Sequence, residues 1–201
     1  MIKINRNSIG IRWTVLLLML VFGIVFVNGC AQESEEKSTG AEKEAIADVS
    51  EKKELTAREA YQLAQIESVD WASDAILVDI SNFWGTSLAD GRSVRWKLEF
   101  NSTSMEKELE VHISRGKILQ TMEEKLKKRE AITGEWVDTP KAIEIAQEYF
   151  AAKPIKNYWF GITSKEGIAT WYIMCKYEEG VPTWVHINAL TGELIKTREG
   201  Y

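Results

Sequence analysis

The stretch WVHINALTGELIKT, residues 184–197, reads as strand, tight turn and strand, and EVHISRGKILQT, residues 110–121, is a shorter echo of it. In each copy a polar–apolar alternation carries a histidine (His112, then His186) and a glycine turn follows (Gly116, then Gly192). A second short strand then closes at Thr121 or Thr197. A duplicated hairpin implies a duplicated unit around it, so the repeat governs the reading of everything upstream.

Working outward, Leu55-Thr56-Ala57-Arg58-Glu59-Ala60 has the form of a capping box, with Thr56 as N-cap, Glu59 three places on, and apolar Ala60, Leu63, Ala64 and Ile66 behind it. Its counterpart is Val137-Asp138-Thr139-Pro140-Lys141-Ala142. There Asp138 or Thr139 caps, Pro140 suits the first turn, and Ala142, Ile143, Ile145 and Ala146 recur at helical spacing. After each helix the period changes to two. Val94, Trp96, Leu98 and Phe100, then Leu109, Val111 and Ile113, mark strands of the first copy; Ala169, Trp171, Ile173, Cys175 and Tyr177, then Val185 and Ile187, mark those of the second. An earlier strand is expected near 76–80 and near 158–162. The charged segment from Met122 to Ala131, with Leu126 as its main apolar residue, reads as a solvated connecting helix. The expected fold class is α+β, with two tandem units, each a short helix packed on a small three- to four-stranded antiparallel sheet. The first unit spans 55–132 with the connecting helix, and the second 133–201.

The N-terminal part reads differently. Lys3, Arg6 and Arg12 precede an uncharged apolar run from Trp13 to Val27. As a helix that run reaches only about 22 Å, short of a roughly 30 Å hydrocarbon core, so residues 1–29 are expected to be an export signal. Val27-Asn28-Gly29-Cys30 resembles a bacterial lipobox, which implies a lipoprotein with diacylglycerol on Cys30 and an amide-linked acyl chain such as palmitate. Two or more chains hold a protein stably on a membrane, and the expected location is the extracytoplasmic face of the cell membrane. Residues 30–54 form an acidic tether: Ala31 to Glu54 holds eight acidic and four basic residues and almost nothing large and apolar. Removal of 1–29 takes away three positive charges and moves the formal charge from −5 to −8, which argues against nucleic acid as a partner. With Cys30 lipidated, Cys175 has no intramolecular disulfide partner.

Taken together, VDTPKAIEIAQEYF (137–150), TWYIMCKYEEG (170–180) and VHINALTGELIKT (185–197), in that order, resemble the PepSY domain. Residues 55–121 match more weakly, because the last turn is two residues shorter and lacks Thr and Glu. PepSY domains occur in propeptides of thermolysin-like metallopeptidases and in exported or membrane-anchored bacterial proteins. The resemblance implies a module that regulates or inhibits a secreted or envelope peptidase on a separate chain, and it carries over no catalytic residues.

No catalytic constellation stands out, so the chain is not expected to be an enzyme, and no cofactor or metal is implied. A zinc site needs three or four converging ligands, and only two histidines exist. His112 and His186 are expected to face solvent on matching strands, and Cys175 is expected to fill the core. The outer sheet face distinguishes the copies. It should carry Arg95, Lys97, Glu99, Glu108, Glu110 and His112 in the first, but Thr170, Tyr172, Met174, Lys176, Trp184 and His186 in the second. Tyr172, Met174, Trp184 and His186 are therefore the candidate partner-binding residues, unless that face packs internally. A structural or ligand-sensing envelope lipoprotein and a glycan-binding surface module are the alternatives.

Overall fold

The computed structural model describes residues 53–200. The expected signal segment, Cys30 and the expected tether up to Lys52 lie outside the described residues. In chain order the elements are α1 (Ala57–Trp71), β1 (Ile76–Asn82), β2 (Arg95–Ser102), β3 (Lys107–Ser114), β4 (Lys117–Lys125), α2 (Thr139–Gln147), β5 (Ile155–Lys165), β6 (Ile168–Tyr177), β7 (Thr183–Asn188) and β8 (Leu194–Glu199). Helix followed by four strands occurs twice, as the repeat requires.

The two halves do not keep separate sheets, and here the expected fold class is corrected. Among the described residues, all eight strands form one antiparallel sheet in the order β4-β3-β2-β1-β5-β6-β7-β8, with two helices. The join is β1 against β5, through Asp79 opposite Thr163, Ile80 opposite Ile162 and Ser81 opposite Gly161. Each half alone would leave its first strand as an open edge with unpaired amides and carbonyls; pairing the two removes both edges at once. The described residues fall within a single compact unit.

Both helices lie on one face of this sheet. Ala57, Ala60, Leu63 and Ala64 of α1, and Ala142, Ile143 and Ala146 of α2, share one buried core with Trp96, Leu98, Phe100, Phe160, Trp171, Ile173, Val185 and Ile187 of the strands. The small residues let the helices approach the sheet, and the large ones fill it from below. Each half also repeats one polar device inside the core. Trp96 Nε1 donates to the Leu55 carbonyl at 3.0 Å, and Trp171 Nε1 donates to the Val137 carbonyl at 2.8 Å. Leu55 and Val137 each precede the N-cap of their helix, Thr56 and Asp138. A buried indole N–H thereby gains an acceptor and fixes where each helix enters.

The helix starts meet one another. Thr56 and Glu59 form the expected capping box. The first two amides of α1 are satisfied from the other half: Ala57 N–H donates to Thr139 Oγ1 at 3.1 Å and Arg58 N–H to Asp138 Oδ1 at 3.0 Å. Asp138 Oδ1 also accepts from Thr139 N–H at 2.8 Å. One carboxylate thus sits between the positive ends of both helices, which offsets the repulsion of two N-termini brought together. The Arg58 side chain donates to the Trp136 carbonyl, with its guanidinium carbon 4.8 Å from the Trp136 ring centroid.

The expected connecting helix over Met122–Ala131 is also corrected. β4 continues to Lys125, pairing Glu110 with Met122 and Lys107 with Lys125. Beyond it the chain crosses the helix-free face as an extended strap: Glu130 bridges to Ser164, and Ile132 N–H donates to the Leu77 carbonyl at 2.8 Å. With Leu126 as its main apolar residue, the segment has no stripe with which a helix could dock, whereas its alternating charges suit an edge strand. At the β3–β4 turn, Arg115 and Gly116 both take positive φ (52° and 72°), the pairing that a two-residue turn matched to strand twist demands.

Candidate functional site

The helix-free face holds the residues on which the two halves differ. Its cross-strand register makes the comparison direct. In the first half Asp79 stands opposite Glu99, and Glu99 opposite Glu110. In the second half the corresponding row is Trp159 opposite Met174, and Met174 opposite Trp184. Three carboxylates in one copy occupy the places of two indoles and a thioether in the other.

The charged face of the first half is not solvated. Glu99 and Glu108 are 1% and 0% exposed. Their counter-charges come from the strap. Arg129 hydrogen-bonds Glu99 and lies 3.8 Å from Glu108 and 3.9 Å from Asp79, while Lys127 donates to Glu108 at 2.7 Å and Glu124 at 2.8 Å. Lys97 adds a bond to Glu99 at 3.1 Å. Lys127 also explains how Glu108 and Glu124 tolerate standing directly opposite one another on β3 and β4. Burial alone would raise the Glu99 pKa, but Arg129 and Lys97 outweigh it and hold Glu99 below its ordinary value. His112, expected to face solvent, is half-buried: its Nε2 shares a hydrogen bond with the Glu110 carboxylate, and its ring meets Phe83 edge-on at 5.2 Å.

Asp79 is the weakly compensated member. Burial first, and the charge of Glu99 second, raise its pKa to about 6 against the pull of Lys97 and Arg129. The folded state therefore holds this proton more tightly than the unfolded chain. The associated stability is fully present below about pH 4 and is lost as pH rises through about 6. Asp79→Asn is expected to remove that slope and to exceed the parent by about 3 kcal/mol at most near pH 8. Urea unfolding of both proteins across this range checks it, and parallel profiles would refute it.

In the second half the face is aromatic. Met174, one of the candidate partner-binding residues, is 1% exposed, held between the Trp159 and Trp184 positions of the neighbouring strands. The Trp159 and Trp184 rings meet at 5.7 Å, and Tyr172 meets His186 at 4.6 Å. Gly161 makes room for this: a Cβ there would stand 3.0 Å from the Trp159 ring. Trp84, at the start of the β1–β2 loop and 48% exposed, extends the strip, with Lys176 Nζ 5.4 Å from its ring centroid. The indole N–H of Trp184 is buried and has no hydrogen-bond acceptor. His186 has its pKa lowered by burial and then by Lys196 and Arg198.

Tyr172, Met174, Trp184 and His186 are thus brought together on one face. Trp159 belongs with them although sequence reasoning passed over it; alternation against Tyr158 and Phe160 was the available signal. His112 and His186 share one cross-strand row, through Lys97, Ser81, Gly161 and Tyr172. Five strand spacings separate them, about 24 Å, so they cannot hold one ion. Among the described residues no group of three His, Cys, Asp or Glu side chains is arranged for a metal ion, and no helix is long and apolar enough to cross a membrane. Cys175 lies in the core, where burial pushes its thiol up to about 11.

No protein-family model and no curated protein matches the chain. Among solved structures, the chain is similar to a protein of Clostridium difficile 630 that is assigned as a lipoprotein. The TM-score is 0.53 at 16% identity, over 69% of this chain and 91% of the other. At that identity the likeness is one of fold.

Proposed function

We propose that this chain is a non-enzymatic binding module of PepSY type, anchored through lipid on Cys30 to the extracytoplasmic face of the cell membrane, and that it holds another envelope protein on the aromatic strip of its second half. The observation that carries the reading is the exchange of Asp79, Glu99 and Glu110 for Trp159, Met174 and Trp184 on corresponding rows of one sheet. The first row is closed by the strap. The second presents part-exposed aromatic rings and a buried indole N–H without an acceptor, features typical of surfaces that bury aromatic anchors against a partner.

The lipobox-like Val27–Cys30 and a fold neighbour assigned as a lipoprotein support the anchor. An enzyme is disfavoured on chemical grounds, because the thiol of Cys175 is buried and raised and the buried carboxylates Glu99 and Glu108 are engaged by Lys127 and Arg129. A secreted peptidase is the partner class that the PepSY resemblance points to.

The test is to recover the lipidated protein from its own membranes, identify what copurifies and assay it for peptidase activity. Trp184→Ala is expected to release the partner with at least a roughly tenfold loss of affinity, on the scale of an interface anchor. A partner retained undiminished by Trp184→Ala would remove the strip from the proposal; one whose peptidase activity is unchanged by the protein would remove the regulatory role.

A further inference from the structure

The sheet ends at two open edges, β4 and β8, and they are defended differently. On β4, Glu123 is paired with Lys107 and takes the indole N–H of Trp71 at 2.9 Å, while Glu124 is paired with Lys127. All six residues of β8 are exposed, Leu194 and Ile195 by 39% and 47%. Its helix-free face carries Lys196 opposite His186 and Arg198 opposite Trp184. Among the described residues neither cation has a carboxylate partner; Arg198 has only the Trp184 ring, 6.0 Å from its guanidinium carbon. Unpaired cations on an exposed edge, in a chain whose net charge is −5, call for a counter-charge from elsewhere.

The register gives the edge a second property. Gly200 N–H donates to the Pro182 carbonyl at 2.9 Å, so from Lys196 onward the even-numbered residues of β8 turn their backbone groups toward β7. By the alternation of antiparallel pairing, Thr197 and Glu199 turn theirs outward, while Ile195 is the extra residue of a bulge between the Ile187–Leu194 and His186–Lys196 pairs. A second copy is a poor occupant. An isologous antiparallel edge sets residues of the same face opposite each other, bringing Lys196 and Arg198 against Lys196 and Arg198.

We infer that β8 is a recognition edge that accepts an extended acidic segment of the partner protein as a ninth strand, with carboxylates at alternate positions opposite Lys196 and Arg198. The inference rests on the reading of the second half as the binding half. Main-chain hydrogen bonds at Thr197 and Glu199 supply the pairing, and the two cations select the sequence and its register.

The test uses the full lipidated chain in zwitterionic micelles, with an end-blocked peptide of alternating Asp and Val and a counterpart in which Lys replaces Asp. The acidic peptide is expected to bind and to slow amide exchange at Thr197 and Glu199. Lys196→Glu with Arg198→Glu should weaken it by about tenfold and transfer preference to the Lys peptide, since two opposite-charge cross-strand pairs are lost and reversed. Thr197→Pro, which removes an outward N–H and leaves the bonds to β7, should weaken it comparably.

Equal binding of the two peptides, or indifference to both variants, would overturn the inference. So would slowed exchange in β8 without peptide that vanishes on deletion of residues 31–54 or on dilution, because the occupant would then be the chain's own acidic segment or a second copy. If Trp184→Ala releases the copurified partner while the peptide ignores β8, the edge inference alone fails. If the peptide binds β8 and Trp184→Ala leaves the partner in place, the aromatic-strip reading alone fails.

Discussion

Trp96→Ala is expected to destabilise the protein by about 3–5 kcal/mol, the range for emptying a fully buried tryptophan site. Trp96 is 0% exposed, its ring lies 5.6 Å from Phe160 of the other half, and its Nε1 holds the Leu55 carbonyl at the entry to α1. The substitution removes the ring and orphans that carbonyl. For a folded region of this size the midpoint of thermal unfolding should fall by about 10–15 °C. Because Trp96 spans the join and the helix caps cross it, the transition should move as a whole. Calorimetry checks both points; a split into two transitions, one unmoved, would show the halves to be thermodynamically separate. Trp171→Ala should act alike, since Trp171 packs on Trp136 at 5.9 Å and holds Val137 in the same way.

The second large effect is expected on the opposite face. Arg129→Ala takes the guanidinium from buried Glu99 and Glu108 and leaves them only Lys97 and Lys127, and breaking a buried ion pair in this way costs up to about 3–5 kcal/mol. The sign with pH is diagnostic. In the parent, Glu99 has a depressed pKa, so the stability it contributes is present above the unfolded carboxylate range and is lost as pH falls through its folded value. In Arg129→Ala the pull of the guanidinium is gone, so the deficit should shrink in acid, where a protonated Glu99 needs no counter-ion. Urea unfolding at several pH values measures it. Combining Arg129→Met with Glu99→Met should recover most of the loss, because the second half already places Met174 at the position of Glu99. A double variant as weak as the single one would mean that the strap acts through its backbone and not through its charges.

Much of the local structure was legible. Thr56 with Glu59, and Asp138 with Pro140, announce the helix starts because orphan amides need those side chains at those places. Period-two alternation put Trp96, Trp171 and Cys175 in the core correctly. It could not say which strand would lie beside which, since alternation specifies a face and not a neighbour; hence two sheets were expected where β1 and β5 make one. The identities on the helix-free face were legible too, but not their burial. The counter-ions of Glu99 and Glu108 come from Lys127 and Arg129, in a segment whose charge density resembles a solvated helix and whose ion pairs are non-local. The aromatic strip was found in part, and Trp159 was missed because the first strand of that half was placed without assigning its faces.

The β1–β5 seam and the crossed caps carry a consequence for how this protein depends on its own concentration. Two half-length chains, each helix and four strands, would meet through the same edges as an isologous pair, and their folded fraction would decline with dilution. Here Ala57 and Arg58 find their acceptors in Thr139 and Asp138 along one continuous chain, so the association is unimolecular. The sheet therefore stays whole however few copies are present. The same linkage frees the halves from being identical: a symmetric pair must repeat every substitution on both sides, whereas one chain can place a carboxylate row in one half and a tryptophan row in the other.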